Sequence, residues 1–410
     1  MRRIRFILIL LSALSLFTCK QESNSNEDLF SGLWRSQLVL DSNSTTLPFF
    51  LQVMRQDSGS YVAAVINGDE KIFHDEVQVS GDSIFIQSPF FNSEIRARIV
   101  QNELHGSWYD HSRSGNYQIP FSAKYNLPNR FAFDAPLQSD LGGKWKTIFG
   151  PDTDYPDTAL AEFEHRENGV LHGTFLTTTG DYRFLEGGFD GKTLKLSAFD
   201  GSHAFLFIAE NRNDTLDGTF YSGNHWKQKF KSWRDENYQL PDAYQTLQFD
   251  STDVFSLSLP SIEGEQFDLS VEMQDKPVII QIMGTWCPNC LDESIFLTRN
   301  SERINGKGVE LLTVVFEREE FDEIGGHLRK YRKNLEVEHP YLYGGRASKR
   351  IASEIFPQVS GIKSFPTTIF LSADHKVKAV HSGYSGPGTG IHFDLQSDRF
   401  WRTVDKIAIQ

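Results

Sequence analysis

A short motif in the last third of the sequence constrains the fold of that region most strongly. Residues 277–283 form a nearly continuous apolar run, which is typical of a strand buried on both faces of a sheet. The sequence Gly-Thr-Trp-Cys-Pro-Asn-Cys follows at 284–290, and a helical pattern of apolar residues continues to about Arg303. A C-x-x-C pair between a buried strand and a helix indicates a redox site, because no second cysteine or histidine pair follows at zinc-ligand spacing.

The position of the two cysteines predicts their chemistry. Cys287 lies at the expected helix start, where unpaired backbone N–H groups and the helix dipole favour a thiolate, the species that attacks a disulfide. Pro288 suits the first helical position, where its missing N–H is not needed. Cys290 lies one turn further, close enough to form a disulfide with Cys287 and to resolve a mixed disulfide.

A carboxylate follows the cysteine pair on the same predicted helix face. Glu293 is three residues beyond Cys290, and Leu297 continues that face into the core. Partial burial raises the pKa of a carboxylate, so Glu293 is a candidate to take up and return the proton of Cys290. The alternative is a first-turn glutamate that is favoured only by the helix dipole.

Strands and helices alternate from about Ser251 to the end of the sequence, which predicts an α/β domain with a βαβ core followed by ββα. The remaining predicted elements are a hairpin around Gly264, a strand over 308–316, helices over 319–334 and 346–356, a hairpin of 367–372 and 377–381, and a last helix over 392–408.

Residues 251–410 resemble the thioredoxin superfamily, and specifically the TlpA/ResA-like thiol-disulfide oxidoreductases of bacterial envelopes. The resemblance rests on Trp286-Cys287-Pro288-Asn289-Cys290, Glu293, Phe365-Pro366-Thr367-Thr368 and the glycine-rich loop 383–390. It implies an exposed nucleophilic Cys287, a buried Cys290 and a glutamate that tunes the pair. It also implies a cis-proline loop at Pro366 that packs beside the disulfide and binds the substrate backbone.

The resemblance further assigns substrate contacts to Trp286, Pro288, Phe365 and Pro366. Gln281 replaces the buried aspartate that thioredoxin carries six residues before the first cysteine, so proton handling would fall to Glu293. We expect no metal and no cofactor beyond the redox-active disulfide Cys287–Cys290.

Residues 31–235 show short β-type runs and an internal repeat. The sequence GLWRSQL at 32–38 recurs as GKWKTIF at 143–149, and LHGSWYD at 104–110 recurs as LDGTFYS at 216–222. Two anchors with nearly the same offset indicate two copies of one unit. About eight short runs in each copy predict two small β-barrels, at 31–125 and 143–235, with one merged sandwich as the alternative. The barrel interiors are expected to be filled by Phe and Trp, although barrels of this kind can also hold a ligand.

The first residues predict export. Arg2, Arg3 and Arg5 precede an apolar run that is too short for a comfortable membrane span and ends at Leu16-Phe17-Thr18-Cys19. This stretch resembles a bacterial lipoprotein signal peptide, which implies a removed leader at 1–18, lipidation of Cys19 and a polar tether over 19–30. An ordinary signal peptide with a chance cysteine is the alternative.

Charge and cysteine content exclude two classes of protein. The formal net charge of −13 argues against a nucleic-acid binder, which needs a basic surface. Three cysteines, Cys19 included, are too few for a disulfide-stapled scaffold or an all-cysteine zinc site.

Together these features predict an envelope thiol-disulfide oxidoreductase, anchored to a membrane only by lipid and facing the periplasm or the cell surface. It would reduce protein disulfides with electrons from an upstream membrane donor that the sequence does not identify. Two alternatives stay open. One is a peroxiredoxin-like peroxide reductase, although Gly284 stands where that family has threonine. The other is a lipoprotein whose barrels bind a ligand or partner, with the redox domain secondary.

Overall fold

In a computed structural model of the protein, residues 29–138 and 140–408 are described. The predicted leader at 1–18, Cys19 and most of the predicted tether lie outside these residues. Among the helices of the two ranges, none has the length and the apolar character that crossing a membrane requires.

The first repeat forms a closed antiparallel barrel in which each strand pairs with the next and β8 pairs back to β1. Side chains alternate along its strands: Trp34, Ser36 and Leu38 point into the core, whereas their neighbours are partly exposed. The strands are β1 (Gly32–Val39), β2 (Thr46–Arg55), β3 (Tyr61–Asn67), β4 (Glu70–Ser80), β5 (Ser83–Gln87), β6 (Ser93–Val100), β7 (Glu103–Asp110) and β8 (Gln118–Tyr125).

The second repeat forms a second closed barrel of eight strands, with the two-residue strand β12 added beside β11. Pairing of β10 with both β9 and β11 closes it. The strands are β9 (Gly143–Phe149), β10 (Asp157–His165), β11 (Val170–Thr177), β12 (Gly180–Asp181), β13 (Leu185–Phe189), β14 (Thr193–Phe199), β15 (Ala204–Arg212), β16 (Thr215–Ser222) and β17 (Trp226–Arg234). The prediction of two barrels is therefore confirmed, and the merged sandwich is wrong.

Aromatic side chains fill the second barrel. The ring centroids of Phe175 and Phe207 are 4.4 Å apart, and those of Phe149 and Phe230 are 5.8 Å apart. Such contacts stabilise a core beyond the area that they bury.

The two barrels pack closely against each other. The ring of Phe199, at the end of β14, lies 4.5 Å from that of Phe49 and 5.2 Å from that of Trp108, both in the first barrel. Arg130, in the segment between the barrels, is buried and donates a hydrogen bond of 2.8 Å to the carbonyl oxygen of Ile66 and one of 2.9 Å to Glu186. An apolar contact and a buried ion pair therefore join the two repeats.

The C-terminal region has a thioredoxin-like α/β fold. Its five-stranded sheet has the order β22-β21-β20-β23-β24, with β20, β21 and β22 parallel and the last two strands antiparallel. The elements, after the short hairpin β18 (Ser258–Pro260) and β19 (Gln266–Asp268), are α1 (Leu269–Glu272), β20 (Val278–Met283), α2 (Pro288–Arg299), α3 (Ser301–Asn305), β21 (Glu310–Glu317), α4 (Phe321–Asn334), β22 (Tyr341–Arg346), α5 (Lys349–Ile355), β23 (Thr367–Leu371), β24 (Val377–Ser382) and α6 (Ile391–Ala408).

The helix after the cysteines is shorter than predicted. It ends at Arg299 because Asn300 leaves the helical conformation, with φ −108° and ψ 5°, and its side-chain amide donates to the carbonyl oxygen of Phe296 at 2.8 Å. Asparagine side chains compete in this way with the helical hydrogen bonds. Helix α3 then runs from Ser301 to Asn305.

Candidate active site

The cysteine turn joins the central strand β20 to helix α2. All six residues of β20 are buried, which fixes the end of the strand against the core. Cys287 is the N-cap of α2, and its Sγ accepts a hydrogen bond of 3.4 Å from the backbone N–H of Cys290. Pro288 occupies the first helical position, as the sequence predicts. The Cys287 sulfur therefore accepts a hydrogen bond from the first turn of α2.

The two cysteines are present as free thiols and are both buried. Cys290 is fully enclosed, and desolvation, followed by its contact with Cys287, raises the pKa of the Cys290 thiol well above its ordinary value. A thiol of this kind needs a base before it can attack.

Glu293 lies one turn beyond Cys290 and is 4% exposed. It accepts hydrogen bonds from Gln281 Nε2 at 3.0 Å and from Thr368 Oγ1 at 2.5 Å. Desolvation raises the pKa of this carboxyl from 4.5 to about 7, against the opposing effect of the two hydrogen bonds. Gln281, which also donates to the carbonyl oxygen of Cys290 at 3.3 Å, therefore contacts the candidate proton acceptor directly.

The segment before β23 meets the cysteine turn. The Phe365–Pro366 peptide bond is cis, as the resemblance implies, and the carbonyl oxygen of Phe365 lies 3.5 Å from Cys287 Sγ. The rings of Trp286 and Phe365 are 5.7 Å apart in an edge-to-face contact. The structure thus places Trp286, Phe365 and Pro366 around Cys287, although their roles in substrate binding stay predictions.

A second buried carboxylate, not singled out from the sequence, supports the residues before Cys287. Glu317, at the end of β21, accepts hydrogen bonds from the backbone N–H of Thr285 at 2.8 Å and from its hydroxyl at 3.1 Å. Desolvation raises the pKa of Glu317 to about 7. The signal in the sequence is an acidic residue that follows the six residues Leu-Leu-Thr-Val-Val-Phe at the end of a strand.

The exposure of the first cysteine differs from the expectation. The resemblance implies an exposed Cys287, but this residue is only 7% exposed, so that expectation is wrong. The reason is that loops of both barrels pack on the cysteine turn. Phe91, between β5 and β6, belongs to the apolar cluster that contains both cysteines, and Ser202, between β14 and β15, donates to the carbonyl oxygen of Trp286 at 2.9 Å.

Arg318, the residue directly after β21, connects the cysteine turn to the first barrel. Its guanidinium lies 4.7 Å from the centroid of the Trp286 ring and donates to Ser112 Oγ, in the loop after β7, at 3.2 Å. Arginine over an aromatic face is a favourable contact. The tryptophan of the cysteine motif is therefore held between the sheet and both barrels.

A buried arginine connects the second barrel to helix α2. Arg183 is 3% exposed and donates to the carbonyl oxygen of Pro288 at 3.3 Å, to Asp292 and to Glu70 of the first barrel at 2.5 Å. Desolvation raises the pKa of Asp292 to about 7, against the effect of the arginine. One cation thus bridges both barrels and the first turn of α2.

Within the two described ranges, no group of three or more histidine, cysteine, aspartate or glutamate side chains is arranged to hold a metal ion. The cysteine pair is the redox-capable group that the geometry presents.

The region that contains the cysteine pair is similar to known proteins. Residues 243–392 match the family model described as Redoxin. A search among curated proteins gave no match.

Several solved structures are similar. A thiol:disulfide interchange protein of the thioredoxin family from Chlorobium tepidum is 18% identical, with coverage of 39% of this chain and 99% of that chain and a TM-score of 0.30. A DsbF homologue from Corynebacterium diphtheriae is 22% identical, with coverage of 37% and 93% and a TM-score of 0.29. A secreted thiol-disulfide isomerase from Corynebacterium glutamicum is 20% identical, with coverage of 41% and 96% and a TM-score of 0.31.

The Redoxin match covers the strand, cysteine turn and helix described above, together with the cis-proline segment. The C-terminal region therefore has a thioredoxin-like fold, and its residues 243–392 are similar to the Redoxin family.

Proposed function

We propose that the protein reduces disulfides of protein substrates through the dithiol of Cys287 and Cys290. The observation that carries this proposal is the placement of Cys287 Sγ at the N-cap of α2, 3.4 Å from the Cys290 N–H and 3.5 Å from the carbonyl oxygen of Phe365. Helix-start donors favour the thiolate, and the adjacent cis-proline segment offers backbone to a substrate chain.

The reaction has two exchange steps. The Cys287 thiolate attacks one sulfur of the substrate disulfide, which breaks the substrate S–S bond and releases the other sulfur as a thiolate that takes a proton from solvent. Cys290 then loses its proton and attacks Cys287 Sγ in the mixed disulfide, which releases the second substrate thiol. Two electrons pass to the substrate, and the protein is left with a Cys287–Cys290 disulfide.

Glu293 is the proposed acceptor of the Cys290 proton. A buried carboxyl whose pKa is about 7 exchanges protons readily near neutral pH, which suits a general base. Gln281 and Thr368 hold both of its oxygens in place.

The setting of the reaction is part of the same proposal. The predicted lipidation of Cys19 would hold the protein at a bacterial membrane, facing the periplasm or the cell surface. An upstream membrane donor, of the dithiol class, would return the Cys287–Cys290 disulfide to the dithiol. Radiolabelled palmitate incorporation that is lost in Cys19→Ser would support the anchor.

The experiment that tests the activity is insulin reduction by the full chain with dithiothreitol as the electron source. We expect Cys287→Ser to abolish turnover, because the nucleophile is lost, and Arg299→Ala, which changes an exposed residue in the last turn of the same helix, to retain it. Turnover by Cys287→Ser at the wild-type rate would contradict the proposal.

A further inference from the structure

The barrel loops cover the face of the redox domain where a protein substrate would have to approach Cys287. Phe91 is 4% exposed and packs in one apolar cluster with Cys287, Cys290 and Leu291. On the other side Ser202 donates to the carbonyl oxygen of Trp286 at 2.9 Å. Cys287 itself is left only 7% exposed.

The second barrel contacts the same turn through its β11–β13 segment. A side chain at Gly180 would meet the amide of Asn289, which lies between the two cysteines and donates to the carbonyl oxygen of Tyr384 at 3.2 Å. Asp181 accepts from the backbone N–H of Gly386 at 2.6 Å. The barrel is therefore seated on the cysteine turn and on the loop before α6 at once.

The contact between the second barrel and helix α2 is made by a buried charged side chain, Arg183. Arg183 contacts Pro288 and Asp292 of α2 and lies 3.6 Å from Asp200 of its own barrel. Arg183 Nε and Asp200 Oδ2 are buried, and neither has a hydrogen-bond partner among the described residues. Burying polar atoms without full hydrogen bonding is unfavourable, and buried ion pairs add little net stability. Such a contact is better suited to release than a continuous apolar interface.

We propose that these barrel loops are specificity-determining elements for the redox centre. In the closed arrangement Phe91 and Ser202 admit small thiols and disulfides to Cys287 but exclude disulfides of folded proteins. Protein disulfides react after the barrels move off the cysteine turn, and Arg183 is the positioning residue that holds the barrels there. This inference rests on the proposed disulfide exchange, but the exclusion of large molecules is a property of the structure that can be measured without turnover.

The test compares two maleimides on the reduced full chain in a Cys19→Ser background, so that Cys287 and Cys290 are the remaining thiols. N-ethylmaleimide and a maleimide carrying a polyethylene glycol chain of several kilodaltons share one chemistry and differ in size. For each reagent, the protection factor is the labelling rate of the chain unfolded in urea divided by the labelling rate of the folded chain. Peptide mapping assigns the modified cysteine.

We expect Cys287 in the wild type to be protected against the large reagent at least about tenfold more than against the small one, since the large reagent needs local opening. In Arg183→Met the protection factors for the small and the large reagent should lie within about threefold of each other. The reason is that the hydrogen bonds to Pro288 and Asp292, which hold the second barrel on the cysteine turn, are lost. Arg212→Met removes an exposed ion pair elsewhere in the same barrel and should leave the wild-type difference unchanged.

Phe91→Ala, which thins the cover from the first barrel, provides a second variant if Arg183→Met does not fold. Equal protection against the two reagents in the wild type, or an unchanged difference in a folded Phe91→Ala chain, would overturn the inference. The turnover of insulin and of glutathione disulfide is measured for the same variants. In Arg183→Met and Phe91→Ala, insulin turnover should rise, whereas glutathione disulfide turnover should stay within about threefold of the wild-type rate. If no variant reduced insulin, the proposed function would fail, and the labelling would still decide whether the barrels shield Cys287.

Discussion

Gln281 Nε2 donates a hydrogen bond of 3.0 Å to Glu293 Oε2, and both side chains are buried behind the cysteine turn. The strand residue that stands where thioredoxin has an aspartate thus contacts the helix carboxylate directly.

We expect the contribution of Glu293 to the free energy of unfolding to fall as pH rises from about 4.5 to about 7. The pKa of Glu293 is raised from 4.5 in the exposed state to about 7 in the fold, so the folded protein binds the proton more tightly and this stabilisation is lost over that interval. At about 1.4 kcal/mol per pKa unit, the contribution of Glu293 is about 3 kcal/mol. Urea denaturation across this range should show that the free energy of unfolding of the wild type, relative to that of Glu293→Gln, falls as pH rises.

Thr368→Val is the matched control for this profile. The Thr368 hydrogen bond lowers the pKa of Glu293, so its removal should extend the fall in stability to higher pH. Profiles of wild type and Glu293→Gln that run parallel between pH 4.5 and pH 7 would show that Glu293 is not the group that titrates.

Glu293→Gln should also slow turnover by about 10²-fold, the lower end of the range for removal of a general base. The physical reason is that burial raises the pKa of Cys290, which therefore depends on a nearby base. Stopped-flow measurement of mixed-disulfide decay would locate the effect in the second exchange step. A variant that resolves the mixed disulfide at the wild-type rate would exclude Glu293 as the acceptor.

Removal of the Glu317 carboxylate should destabilise the turn before Cys287. In Glu317→Ala the buried N–H of Thr285 loses its acceptor, which costs about 1–3 kcal/mol. Denaturation at pH 7.5 measures the loss. Glu320→Ala, which removes an exposed carboxylate from the same segment, should change stability by less than about 1 kcal/mol. Equal effects of the two substitutions would argue against a special role for Glu317.

The contact between the two barrels should depend on Arg130. Its removal in Arg130→Ala leaves Glu186 largely buried and unpaired, and we expect a loss of about 3 kcal/mol by urea denaturation. The exposed pair of Arg212 and Glu210 is a matched control, for which Arg212→Ala should change the free energy of unfolding far less. A loss for Arg130→Ala no greater than for the control would mean that the ion pair of Arg130 and Glu186 does not stabilise the contact between the barrels.

The sequence alone predicts features that depend on local patterns. The buried strand before Cys287, the proline at the first helical position and the spacing to Glu293 are local, and the repeat anchors predict two barrels. The cover over Cys287 depends instead on pairs such as Arg183 with Asp292, which are 109 residues apart. No local periodicity encodes such a contact, so Phe91, Arg183 and Ser202 could not be singled out. The expectation that Cys287 is exposed is wrong for the same reason. It follows from a resemblance that describes the redox domain without the barrels.

The most direct test of the account is capture of a mixed disulfide by the full-length Cys290→Ala variant. Without the resolving thiol, Cys287 should stay linked to a disulfide-bonded protein such as insulin, in an adduct that dithiothreitol releases and that peptide mapping assigns to Cys287. The chain that carries both Cys287→Ala and Cys290→Ala should capture none. Equal capture by the two variants, or no adduct from Cys290→Ala under conditions where the wild type turns over, would contradict nucleophilic attack by Cys287.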